Sequence, residues 1–151
     1  MGVPQLDRGD NDMRYMLIMR ATQEAQDFAA ENVDFAEIVA AMGAYNEELI
    51  KAGVLLSAEG LTGPEDGFVV DFDSDPPAIT DGPYAEAKEL FNGFWMLDVS
   101  SVDEAKQWAS KCPLGPGVKL EVRLVSEIAD FDQDDEWVKR EQAWREANGP
   151  R

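Results

Sequence analysis

Two stretches of this chain are apolar at nearly every position, and they limit its fold more than anything else. Arg14–Arg20 (RYMLIMR) and Phe94–Val99 (FWMLDV) are short for core helices and read as buried strands. Successive side chains of a strand leave on opposite faces, so a run without alternation needs cover on both faces of its sheet.

Around these strands the period changes. Phe35, Ile38, Val39, Met42, Tyr45 and Leu49 recur at i, i+3, i+4, i+7 spacing and predict a helix. Gly53 follows its last turn, where a left-handed cap is expected. Val54–Leu61 reads as a second strand, and Thr62–Gly67 as a turn. Phe68–Phe72 is a short strand, Asp73–Pro77 a turn, and Ala78–Thr80 a possible partner for that short strand. Ser101 and Glu104 have capping-box spacing, opening a helix that Pro113 stops. Val118, Leu120, Val122 and Leu124 alternate with Lys119, Glu121 and Arg123, as in a strand with one wet face. Ala21–Asn32 is polar and Ala-rich and reads as a loop or a loose helical turn. Residues 1–12 read as a disordered leader, 13–129 as the folded domain, and 130–151 as an acidic helical extension. Trp137 and Trp144 lie on one side of that extension and pack either on its own domain or on a partner subunit.

The order is β–α–β, a hairpin insertion, β–α–β, then a tail helix. This α+β pattern predicts a ferredoxin-like βαββαβ sheet with two helices on one face. Two helices leave the second face bare. The simplest cover is another copy, which predicts a homodimer closing into an α/β barrel.

The 151 residues suit one domain. The 31 Asp and Glu against 13 Lys and Arg give a net charge of −18, which argues against nucleic acid and anionic membrane surfaces as partners. The chain has no His, which removes the Ser-His-Asp triad, a His base and the usual zinc sites. No metal or other cofactor is expected. Cys112 is the only cysteine, so no internal disulfide forms, which suits a cytoplasmic protein. No apolar run approaches the roughly 20 residues of a membrane span.

The residues with chemistry gather in the segment Asp81–Lys88 (DGPYAEAK). Asp, Gly and Pro have a turn-forming explanation. The same turn is expected to aim Asp81 into a cleft. Lys88 either sits in a solvated cluster with Glu86 and Glu89 or neutralises Asp81 or Glu86 inside the cleft. Tyr84 is a hydrogen-bond donor there or a packing ring. Glu59 stands in an apolar strand, where a carboxylate needs a partner or water, and Arg20 is the candidate partner. Trp95 is either core or a wall of the cleft.

Several of these residues resemble a known family. Tyr15–Ile18, Gly53–Leu55 with Glu59–Leu61, Thr80–Tyr84 with Glu86, Lys88 and Gly93, and Ala109–Pro113 look like the YCII-related family in its DGPF-type branch. Tyr84 stands where that branch often has Phe. The likeness runs from Met13 to Ile128. It implies a ferredoxin-like fold that dimerises into an α/β barrel, with a cleft near the sheet for a small ligand. It implies no settled activity. Some relatives use a His–Asp pair, which this chain lacks, and others are associated with alternative sigma factors. The expectation is a small-molecule-binding homodimer. Any catalysis would be cofactor-free proton transfer (elimination, isomerisation or decarboxylation) on a small organic acid or phenol. Asp81 would be the base, with burial to strengthen it, and Lys88 would stabilise negative charge, with Tyr84, Glu86, Glu59, Arg20 and Trp95 around the ligand. The alternative is a non-catalytic accessory or regulatory protein.

Overall fold

A computed structural model describes residues 13–82 and 89–148. The elements in order are β1 (Met13–Thr22), α1 (Gln23–Asn32), α2 (Phe35–Lys51), β2 (Leu55–Gly60), β3 (Phe68–Asp71), β4 (Ala78–Asp81), β5 (Glu89–Val99), α3 (Val102–Ser110), β6 (Val118–Leu124) and α4 (Glu136–Asn148). The main sheet is antiparallel with order β2-β5-β1-β6, and β3 and β4 form a separate two-stranded ribbon. This is the ferredoxin-like arrangement expected from the sequence.

Local chemistry explains the helices. The Asp34 carboxylate accepts from the Ala36 N–H to start α2, and Gly53, with φ +75°, ends it. The Ser101 hydroxyl accepts from the Glu104 N–H, starting α3. The Glu104 carboxylate reaches back one residue further than a capping box requires, accepting from the Ser100 N–H and hydroxyl. The Asp135 carboxylate accepts from the Trp137 and Val138 N–H groups to start α4.

One expectation is corrected. Where a loop or a loose helical turn was expected at Ala21–Asn32, Ala21 and Thr22 finish β1, and Gln23–Asn32 is a full helix of 10 residues, α1. Thr22 caps it, accepting from the Ala25 N–H at 3.1 Å, and the Ala, Gln and Glu content favours helix. β5 is also longer than expected, beginning at Glu89 rather than Phe94.

The core lies between the sheet and α2 and α3. Tyr15 and Leu17 of β1 and Trp95, Leu97 and Val99 of β5 meet Tyr45 and Leu49 of α2 and Ala105 of α3. Leu17, Leu49, Leu97 and Val99 are wholly buried, each worth about 1.5–3 kcal/mol of transfer free energy. The partly buried Leu120 and Val122 extend this layer into β6.

The opposite face of the sheet carries Met16, Ile18 and Arg20 of β1, which pair with Arg123, Glu121 and Lys119 of β6. On the other side Ile18 pairs with Phe94 and Met16 with Met96, and Ser57 and Glu59 of β2 flank those two. Its apolar centre is only half buried. The buried residues of the helices all join the other face, and α4 has none. Both indoles of α4 are exposed, the Arg140 guanidinium lying 4.6 Å from the centroid of Trp137.

A bulge in β5 sets which side chains reach each face at one end of the sheet. Met19 pairs with Gly93, but Arg20 pairs with Phe91, so Asn92 is the extra residue. Beyond it Leu90 turns to the helix side with Ala21, and Phe91 and Glu89 turn to the open side with Arg20 and Thr22.

Candidate functional site

An apolar space lies on the helix side, at the end of the sheet where the bulge sits. It measures about 510 Å³ and is roofed by α1 and α2 and closed by the Pro113–Pro116 loop. Met19, Ile38, Met42 and Val118 form its apolar wall, and among the described residues Gln26 and Asn92 are its only polar side chains. α1 is a thin roof, since none of its residues is buried. It is nevertheless held in place. Thr22 N–H donates to the Gly117 carbonyl at 3.4 Å, and Gly117 adopts φ +87°. A methyl on Gly117 would meet the Ala25 Cβ at 2.6 Å, so glycine is required there both for its backbone and for its room.

A second, smaller cavity of about 320 Å³ opens beside the Leu61–Gly67 turn, with Leu90, Phe91 and Asn92 on its other wall. Asn92 thus lines both spaces. β2 and β5 are unusually close here, because a methyl on Gly93 would lie 2.7 Å from the Glu59 carbonyl oxygen.

The open face holds a charge cluster. Arg20 pairs with Glu89 at 2.6 Å and Glu121 at 2.9 Å, and Lys119 reaches Glu89 at 3.6 Å. Arg123 lies 4.0 Å from Glu121.

The residues expected in one cleft are therefore spread over three places. Arg20 and Glu59 are on the open face, but the expected pairing between them is not made. Arg20 is committed to Glu89 and Glu121, and Glu59 is exposed on β2. Trp95 is no cleft wall on the open face. Its parity on β5 turns it into the helix-side core, where its indole N–H donates to Asn46 Oδ1 at 2.8 Å. Tyr45 meets its ring edge-on at a centroid distance of 5.7 Å. Asp81 ends β4 on the ribbon and is exposed rather than set in a buried cleft. Tyr84, Glu86 and Lys88 lie outside the described residues. The segment that carries them leads directly into Glu89–Asn92, the stretch that contributes to both cavities and to the charge cluster.

The larger cavity is hard to see in the sequence because its roof has the polar, Ala-rich composition of a loop. Ala25, Phe28, Ala29 and Val33 repeat at helical spacing and carry the signal that reveals it.

The chain matches the model of the YCII-related domain over residues 13–129. No curated protein matches it.

Proposed function

The chain belongs to the YCII-related domain family, and from that premise we propose that it is a homodimeric binding protein for a small, uncharged, mainly apolar molecule such as a phenol. The helix-side cavity carries this reading. About 510 Å³ is within the usual range of small-molecule sites, and an apolar lining with a few polar groups is their usual character. Gln26 or Asn92 would hold a hydroxyl. The described lining residues include no cation, so a carboxylate would lose its water among them at a cost of several kcal/mol. Of the acid or phenol expected from the sequence, the phenol is therefore retained.

The half-buried centre of the open face supports the homodimer: Met16, Ile18, Phe94 and Met96 would gain burial if two such faces closed into a barrel. The DGPY segment resembles the DGPF-type branch, where an accessory role needs binding alone. Among the described residues that line the larger cavity none is ionisable, which supports binding without turnover. A second reading keeps proton transfer, with Asp81 accepting the proton and Lys88 stabilising the anion. It is supported by the junction of their segment with the residues that line both cavities.

Calorimetric titration with matched phenols and benzoates tests the binding. Phenols should bind and benzoates should not, and Ala29→Trp, which fills the cavity from α1, should remove binding without lowering the melting temperature. Equal binding of both classes, or undiminished binding by Ala29→Trp, would sink the proposal. Asp81→Asn decides turnover: it leaves binding intact in either case and abolishes product formation only if Asp81 is the base.

A further inference from the structure

Among the described residues the β3–β4 ribbon pairs only with itself, and a lone two-stranded hairpin is marginal in water. Val70 lies opposite Ile79 and Phe68 opposite Asp81, which puts these four side chains on one face. Phe68 and Ile79 are exposed, and neighbouring Phe72 is 78% exposed. The ribbon is also acidic. Asp71, Asp73, Asp75 and Asp81 lie on it, and no Lys or Arg occurs from Ala52 to Ala87.

The opposite edge of the sheet has the complementary character. On β6 the side chains of Lys119 and Arg123 are 76% and 72% exposed, whereas Glu89, which Lys119 meets, is only 18% exposed. The cationic groups therefore face outward, beside the apolar centre of the open face, in a chain whose net charge is −18. The ribbon leaves from β2, at one edge of the order β2-β5-β1-β6, and the cations sit on β6, at the other. A second copy facing the first, turned about a two-fold axis along the strands, lays each β2 edge over the other's β6 edge.

We propose that the β3–β4 ribbon is an arm that docks across the β6 edge of a second copy, burying Phe68, Val70 and Ile79 and setting Asp81 against that copy's Lys119 and Arg123. This rests on the homodimer proposed above and adds a contribution in trans, since Asp81 then completes the neighbouring subunit's surface rather than its own.

The test uses two differently tagged chains, both Cys112→Ser, one with Ile79→Cys and the other with Arg123→Cys. Co-expressed and treated with a short bis-maleimide, they should give a covalent heterodimer on a denaturing gel. In the otherwise unaltered chain, Lys119→Glu with Arg123→Glu should weaken dimerisation about tenfold by sedimentation. A dimer by sedimentation without that cross-link, or cross-linking of Ile79→Cys to itself, overturns the arm and leaves the homodimer standing. A monomer at every concentration overturns both.

Discussion

Replacing Trp95 by Phe tests whether this residue belongs to the core or to a ligand cleft. The indole is buried against Tyr45, and its N–H donates to Asn46 at 2.8 Å. Phe keeps the edge-on ring contact but removes that donor and part of the ring. The lost hydrogen bond is worth about 1 kcal/mol, because Asn46 is only half buried and recovers water. The missing ring atoms leave a cavity costing about 1–2 kcal/mol. The sum is about 2–3 kcal/mol, which for a chain of 151 residues lowers the melting temperature by roughly 5–10 °C. Asn46→Ala should cost about 1 kcal/mol alone, and the double variant should fall short of additivity by about the same amount. Calorimetric melting of the four proteins gives the cycle. Phenol affinity should hold in all of them. A stable Trp95→Phe variant that loses ligand would refute the core assignment.

Other substitutions and pH probe the rest of the structure. Arg14 holds Glu127 through two bonds of 2.8 and 2.9 Å in a poorly hydrated place, so Arg14→Met should cost about 2–4 kcal/mol by denaturant melting, whereas Arg140→Ala, in an exposed helical pair, should change stability by under about 0.5 kcal/mol. Gly93→Ala forces β2 away from β5 and should cost about 1–3 kcal/mol, with faster hydrogen exchange in β2. Burial pushes the Cys112 thiol from 9.0 up to about 12, so the folded chain keeps a proton that the unfolded chain sheds above about pH 9. That contribution is complete below pH 9 and lost as pH rises towards 12, so a melting-temperature series should fall across this window, and less steeply in Cys112→Ala. Burial also raises the Tyr45 hydroxyl, which adds to the alkaline loss in both proteins.

The fold was legible in the sequence wherever periodicity and punctuation agreed. The stripe from Phe35 to Leu49, Gly53 after it, and Ser101 before α3 all have the roles their chemistry suggests. Two features escaped. α1 was hidden because its apolar residues are mostly alanines, so the stripe is faint and only the Thr22 cap marks its start. The bulge at Asn92 was hidden because register is a property of two strands. The candidate site suffered for the same reason. Glu59 and Trp95 stand on adjacent strands, β2 and β5, yet strand parity sends them to opposite sides of the sheet. The charges at Arg20 were recognised, but their partners came from β5 and β6, which only the sheet order brings together.

The unpaired Asn92 has a consequence for how this region tolerates change. Deleting that single residue would restore an unbroken ladder without turning its neighbours over, because Phe91, Leu90 and Glu89 already lie opposite Arg20, Ala21 and Thr22, where a regular strand running back from Gly93 would put them. Glu89 would stay beside Arg20, while both hollows would lose the amide side chain they share. One lost codon would thus alter the chambers and leave the ions in step.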